Sequence, residues 1–175
     1  ILPAWTRDGR VAYTSFLAHN PDLYVDNTKL SAYPQMNTGA SFHPSLPLLA
    51  ITLSKDGNTE IYVLRTSDGG IVRRLTHNKA IDTSPCWSPD GIKLAFVSSR
   101  GTGRPSIYIM SADGTGQKRL PQIGGYNTSP DWSPNGNEIV YSSMRTGKSF
   151  DLYVINLSTD RVRRLTKKGS SEEPS

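Results

Sequence analysis

A segment of nine residues occurs twice in this chain, and its spacing constrains the fold more than any other feature of the sequence. TSPCWSPDG at residues 83–91 returns as TSPDWSPNG at residues 128–136, an offset of 45 residues. The same offset relates Tyr108 to Tyr153 and Arg119 to Arg164. Matches that are dispersed along the chain but share one offset indicate a single structural unit that is used repeatedly.

Weaker copies of the unit precede these two. In the second copy Phe42 stands where the third copy has Trp87, and LAI at residues 49–51 stands where the third copy has LAF. Trp5 opens a still earlier copy. The sequence therefore predicts four units within the 175 residues, at approximately 1–36, 37–81, 82–126 and 127–171, with residues 172–175 beginning a fifth.

Each unit has the pattern of four short strands. The letters SPDG predict a tight turn after the first strand, because proline presets φ and glycine accepts a left-handed backbone. Apolar runs at residues 94–97 and 107–110 predict the second and third strands, and a fourth strand ends the unit. The 15 glycines, 12 prolines and an apolar content of only 35% fit short strands joined by turns. We therefore predict an all-β fold, a β-propeller of four-stranded antiparallel blades.

The first unit is shorter than the others between its third and fourth strands. Tyr24 lies 18 residues before Phe42, whereas Tyr62 lies 25 residues before Trp87. The hairpin near Asp26 is therefore either clipped or incomplete in the chain as given.

One large aromatic residue recurs at each of two positions of the unit. We expect both series to fill the space between neighbouring blades, with the tyrosine hydroxyls reaching the surface, in preference to stacking on a ligand. The two series are Trp5, Trp87 and Trp132, and Tyr24, Tyr62, Tyr108 and Tyr153. Cys86, the single cysteine, is interpreted as a small buried thiol, and its presence is compatible with a reducing or an oxidising compartment.

The net charge of +5 first suggests an acidic partner such as nucleic acid. The basic residues, however, fall on the predicted fourth strands, where lysine and arginine protect an exposed sheet edge from unwanted pairing. They are Arg73, Arg74, Lys118, Arg119, Arg163 and Arg164. No nucleic-acid motif and no interleaved exposed aromatics accompany them, so nucleic acid is not predicted as a partner.

Catalytic and metal signatures are absent from the sequence. It contains no Gly-x-Ser-x-Gly elbow, no His-Glu-x-x-His, no P-loop and no Cys/His zinc spacing. His19, His43 and His77 occupy three different places in the unit and are not expected to converge. No apolar run is long enough to span a membrane. We predict neither an enzyme nor a bound cofactor.

The residues that begin the first strand of each unit are the candidate binding site, because these positions line one mouth of the channel in a propeller. They form a polar, partly acidic ring: Asn37, Thr38, Asp82, Thr83, Asn127, Thr128, Glu172 and Glu173. A hydrated channel lining is one interpretation. The other is a docking site for a peptide or protein, and the carboxylates also allow a channel cation such as calcium.

The repeated motifs resemble those of the TolB-type propeller family. WSPDGxxLAF at residues 87–96, IYIMSADG at residues 107–114 and RLT at residues 164–166 carry the resemblance, which covers essentially the whole chain. It implies a non-enzymatic, periplasmic component of the Tol–Pal cell-envelope system. Such proteins have a small N-terminal α/β domain and six blades, of which this chain would hold four, and the channel mouth receives the peptidoglycan-associated lipoprotein Pal.

A second function remains open at the level of sequence, because related repeats occur in propellers that gate prolyl-oligopeptidase-type serine peptidases. The catalytic domain of such an enzyme would lie outside this chain. A chain of four blades from a larger ring would also expose two apolar blade faces, so we expect it to self-associate.

Overall fold

A computed structural model describes residues 3–18, 20–145 and 149–166, and within these residues all regular structure is β-strand. The strands are β1 Ala4–Trp5, β2 Val11–Ala18, β3 Asn20–Val25, β4 Thr28–Ser31, β5 Asn37–Phe42, β6 Leu48–Leu53, β7 Glu60–Arg65, β8 Ile71–Arg74, β9 Asp82–Trp87, β10 Lys93–Ser98, β11 Ser106–Ser111, β12 Lys118–Arg119, β13 Tyr126–Trp132, β14 Glu138–Met144, β15 Asp151–Asn156 and β16 Val162–Arg164.

The strands form four antiparallel sheets, each made of four strands that are consecutive in the chain. We call them blades 1 to 4, and the interface between two consecutive blades a seam. The first strands of consecutive blades contact one another, so β1, β5, β9 and β13 are the inner strands. The last strand of each blade is its free edge, and the basic residues were predicted to lie on this strand. The predicted fold class is confirmed. Among the described residues there is no helix that could span a membrane.

The second strand of each blade is central, and its side chains alternate between two seams. In β6, Leu49 and Ile51 pack into the seam between blades 1 and 2, whereas Ala50 packs into the seam between blades 2 and 3. All three are fully buried. In β10, Leu94 likewise faces blade 2 and Ala95 faces blade 4. Two buried faces explain why these strands are continuously apolar, and each fully buried leucine or isoleucine contributes about 1.5–3 kcal/mol.

The turn between the first and second strands has the geometry expected from SPDG. In blade 3 the amide of Gly91 donates a hydrogen bond of 2.8 Å to the carbonyl of Ser88, and the φ of Gly91 is 72°. Gly136 repeats both features in blade 4, with a 2.8 Å hydrogen bond and a φ of 71°. The predicted left-handed glycine is therefore confirmed in these turns.

The hairpin between the third and fourth strands of blade 1 is clipped. Val25 and Thr28 pair directly, and only Asp26 and Asn27 connect β3 to β4. Asp26 has a φ of 51°, which an aspartate tolerates better than most residues. In this chain the hairpin is therefore a two-residue connection, shorter than those of the other blades.

The tryptophans fill the seams in two of the three units. Trp87 is 7% exposed in the seam between blades 2 and 3, and Trp132 is 8% exposed between blades 3 and 4. Trp5 is 73% exposed, so the prediction for this residue is wrong. The two buried tryptophans face the preceding blade, and no blade precedes blade 1 within the described residues.

Candidate functional site at the mouth end

The candidate site lies at the end of the blades where the first strands begin, which we call the mouth end. Antiparallel pairing brings the end of the second strand and the beginning of the third to the same place, as in the pairs Asn37–Leu53 and Leu53–Glu60. The opposite end carries the turns between first and second and between third and fourth strands, and we call it the turn end.

Three of the predicted ring residues are buried at equivalent positions. Asn37 and Asp82 are fully buried and Asn127 is 1% exposed. Each lies at or beside the start of an inner strand, directly after the connection from the preceding blade. Their side chains are therefore enclosed within the rim of the mouth.

Asn37 shows what such a buried side chain does. Its Oδ1 accepts hydrogen bonds from the Ser31 hydroxyl at 2.8 Å and the Tyr33 amide at 3.0 Å. Its Nδ2 donates to the Tyr33 carbonyl at 2.6 Å. The amide thereby fixes the connection between blades 1 and 2, because it satisfies backbone groups that no strand pairs.

Asp82 makes a corresponding set of contacts in the next connection. Its Oδ2 accepts from Asn78 Nδ2 at 2.7 Å and from an Arg100 guanidinium nitrogen at 2.6 Å. The Asp82 amide donates to the Thr59 carbonyl at 3.0 Å. Charge-assisted hydrogen bonds of this kind are about twice as strong as neutral ones, so Asp82 is a rigid joint between blades 2 and 3.

The threonines of the predicted ring lie nearer the surface. Thr38, Thr83 and Thr128 are half-buried. The inner strand bulges directly after each of them, because the pairing register shifts between Thr38 and Ser41 and at the matching places of blades 3 and 4. Glu172 and Glu173 lie outside the described residues. The binding role of all eight residues stays a prediction.

The mouth end also contains a series of acid–base pairs that the sequence analysis did not predict. The third strand of blades 1, 2 and 4 carries a buried acid near its start, and a basic residue of the adjacent fourth strand binds it. The pairs are Asp22–Lys29 at 2.7 Å, Glu60–Arg74 at 3.0 Å and Asp151–Arg164 at 2.5 Å. The signal was present in the sequence, because the three acids occupy equivalent places before the recurring tyrosine. The basic residues of the edge strands therefore also neutralise the mouth end.

Blade 3 replaces this pair with a different arrangement. Ser106 stands where the other blades have the acid, and the basic residue is Arg100, from the loop after β10. The Arg100 guanidinium lies 5.0 Å from the centre of the Tyr108 ring and 5.3 Å from that of Phe96. It also donates to Asp82 and Gln117. Arg100 thus joins the aromatic core of blade 3 to the buried acid of the inner strand.

Two buried carboxylates in this region each have one oxygen without a hydrogen-bond partner among the described residues. They are Glu60 Oε2 and Asp82 Oδ1, and both residues are fully buried. Asn78 connects the two carboxylates, since its amide donates to Glu60 at 2.9 Å and its side chain donates to Asp82. Within the described part of the chain, no group of three or more His, Cys, Asp or Glu side chains is arranged to hold a metal ion.

The remaining candidate side chains have structural surroundings. Cys86 Sγ lies 3.1 Å from Asp131 Oδ1, and burial together with this carboxylate raises the pKa of the thiol, which keeps it protonated and unreactive. His43 packs against Trp87 with ring centres 4.7 Å apart at the turn end, whereas His77 is exposed near the mouth end. His19 lies outside the described residues. Among the described residues, Cys86, His43 and His77 therefore do not converge on one site.

Comparison with known proteins agrees with the fold and the repeat. Residues 1–175 match the family model described as the TolB β-propeller domain. A TolB homolog of Chlorobium luteolum is 39% identical over 117 residues, and the Tol-Pal system protein TolB of Bordetella pertussis is 36% identical over 115 residues. These matches cover 63% and 62% of this chain, and 26% of each relative.

Solved structures extend the likeness to nearly the whole chain. The crystal structure of TolB from Acinetobacter baumannii superposes with a TM-score of 0.88 at 30% identity, covering 99% of this chain and 45% of that one. A puromycin hydrolase superposes with a TM-score of 0.73 at 13% identity, covering 97% of this chain and 29% of the hydrolase. The second likeness concerns the fold alone.

Proposed function

Because the chain belongs to the TolB β-propeller domain family, we propose that it is a non-enzymatic docking propeller of the Tol–Pal cell-envelope system. The partner in this proposal is a Pal-like lipoprotein, bound at the mouth end in the periplasm. The observation that carries the proposal is the likeness to TolB of Acinetobacter baumannii, with a TM-score of 0.88 over 99% of the chain. The chain spans about a quarter of the length of its curated relatives, so activity and partner are proposed for the protein that contains it.

The physical basis of docking is a rigid rim. The buried side chains of Asn37 and Asp82 hold the connections between blades through hydrogen bonds of 2.6 to 3.0 Å. A rim that is already ordered loses little conformational entropy when a partner binds, which favours affinity. The loops at the mouth end then supply specificity, as loops on rigid scaffolds commonly do.

The charges of the mouth end favour a polar contact over a strongly ionic one. Asp22, Glu60 and Asp151 are each paired with a basic residue of their own blade, and Asp82 is paired with Arg100. In this proposal the half-buried threonines of the ring, Thr38, Thr83 and Thr128, offer their hydroxyls to a partner. Recognition would depend on hydrogen bonds and shape complementarity more than on steering by net charge.

The competing function is that of a propeller gating a serine peptidase. The likeness to puromycin hydrolase, at 13% identity, gives this alternative the fold and nothing more. No feature of the described mouth end favours it over docking. The gene that contains this chain distinguishes the two, because a nucleophile elbow downstream would point to the peptidase.

The proposal is tested by measuring how a Pal-type lipoprotein binds to the protein with an altered mouth. Thr83→Arg places a long charged side chain at a half-buried position of the ring. We expect calorimetry to show binding to the unaltered protein and a dissociation constant raised about tenfold or more in the variant, because the new side chain obstructs the contact and adds unpaired charge.

Ile92→Arg is the matched control. Ile92 is 62% exposed in a turn at the opposite end, so the same substitution there should leave binding unchanged. Absence of binding to the unaltered protein would overturn the proposed partner. The proposed location would be overturned if neither variant weakened binding, or if only Ile92→Arg weakened it.

A further inference from the structure

A cavity of about 530 Å³ opens at the turn end, in the seam between blades 1 and 2. Its volume lies within the range of small-molecule sites, about 300–1,000 Å³. Val25, Phe42 and Leu46 provide apolar surface, and Arg7 and Arg10 stand at its border. The cavity is at the opposite end from the mouth and has no part in the proposed docking function.

The next seam shows why this cavity is large. The corresponding space between blades 2 and 3 measures about 310 Å³ and is bordered by Trp87 and Val72. Phe42 takes the place of that tryptophan in the first seam and is smaller. Val72 has no counterpart in blade 1, because the clipped hairpin starts β4 at Thr28, beside Val25. Two departures from the repeat therefore enlarge the same cavity.

A third departure supplies charge. Arg7 stands where the turns of the other blades have proline, as at Pro44 and Pro89. Its guanidinium Nη1 donates a hydrogen bond of 2.7 Å to the carbonyl of Ser45, which belongs to blade 2. The arginine thus reaches across the seam and holds its charge at the border of the cavity.

The other charges at this border leave Arg7 without a carboxylate partner among the described residues. Asp8 is paired with Arg10 at 2.8 Å. The hydroxyl of Thr6 donates to Asp8 and lowers the pKa of this carboxyl, so Asp8 stays ionised and bound to Arg10. The border therefore carries one uncompensated positive charge above an apolar floor.

We propose that this cavity binds a small organic carboxylate with an apolar body. The carboxylate would pair with the guanidinium of Arg7, whose remaining N–H groups suit a planar two-oxygen acceptor. The apolar body would lie against Phe42, Val25 and Leu46. The convergence of three departures from the repeat on one cavity is the observation that supports a selected binding site.

The test uses 4-phenylbutyrate as the probe and its neutral amide, 4-phenylbutyramide, as the matched comparison. Both have the same apolar body, but only the first carries a negative charge. We expect calorimetry with the full chain to show about tenfold tighter binding of the carboxylate, because a hydrogen bond to a charged group contributes more than a neutral one. Equal affinity for both probes, or binding of neither, would overturn the proposal.

Two variants locate the site. Arg7→Gln should remove the preference for the carboxylate, and Phe42→Trp should abolish binding of both probes by filling the cavity with the residue that the repeat uses elsewhere. Arg163→Gln, at an exposed position of blade 4, is the control and should bind like the unaltered chain. If Arg7→Gln retained the full preference, the carboxylate would bind elsewhere and the assignment would be wrong.

Discussion

A single position of the repeat shows how one structural task can be performed by different side chains. Ser88 and Ser133 occupy this position in blades 3 and 4. Their hydroxyls donate to Oδ1 of the turn residues Asp90, at 2.6 Å, and Asn135, at 2.8 Å. Blade 2 has His43 there, whose Nδ1 accepts from the amides of Ser45 at 3.1 Å and Leu46 at 3.0 Å. The ring must therefore carry its proton on Nε2, in the neutral form.

We expect this histidine to make the stability of the fold depend on pH. Burial lowers the pKa of His43 below its usual 6.5, so the unfolded chain binds a proton first on acidification. The contribution of His43 to stability should be constant above about pH 6.5 and fall as the pH drops below it, until the folded form is protonated as well. Urea unfolding at about pH 7.5 and about pH 5 measures the difference.

His43→Ser, which copies the residue of blades 3 and 4, should flatten this pH dependence. It should also cost about 2 kcal/mol at neutral pH, because the ring is 6% exposed and packs against Trp87. His77→Gln alters an exposed ring and should leave both quantities close to those of the unaltered chain. An unchanged pH dependence in His43→Ser would assign it to other groups.

At the scale of the element, the inner strands share one irregularity. Each of β5, β9 and β13 has a bulge a few residues from its start, and the bulge contains a left-handed residue. These residues are Gly39 with a φ of 64°, Ser84 with 53° and Ser129 with 51°. The bulge also joins the blades, since the Ser84 amide donates to the Thr52 hydroxyl of blade 2 at 3.2 Å. The backbone conformation is therefore repeated more strictly than the residue type.

Substitutions of Gly39 test whether its left-handed backbone conformation, and not lack of room for a side chain, limits which residue can stand there. A Cβ at this position would meet its nearest atom at 3.7 Å, an ordinary contact, so any cost arises from the left-handed φ. Gly39→Ser copies the other blades and should change the free energy of unfolding by less than about 1 kcal/mol. Gly39→Val should cost about 1–2 kcal/mol, because a branched side chain is poorly tolerated there. If both variants changed the midpoint of thermal unfolding equally, the left-handed φ of Gly39 would not be what limits substitution at this position.

At the scale of the whole molecule, periodicity predicted most of the architecture. The 45-residue offset and the SPDG turns indicated four antiparallel sheets, because they report local backbone geometry and alternation along a strand. The burial of a polar side chain, by contrast, depends on the loops that cover it, and the strand pattern does not describe those loops. The burial of Asp82, its pairing with Arg100 and the cavity beneath Arg7 were therefore not predictable from the sequence.

The two outer blades give the whole chain its last predicted property, self-association. Trp5 is 73% and Val11 37% exposed on blade 1, and Leu152 is half-buried on blade 4. Apolar surface of this kind favours association. Sedimentation velocity should show an average mass that rises with concentration, and Trp5→Ser should weaken association about tenfold. Ile92→Ser removes a residue of comparable exposure, 62%, from a turn and should change nothing. A monomer at every concentration would contradict this prediction and show that the exposed faces of blades 1 and 4 do not drive self-association.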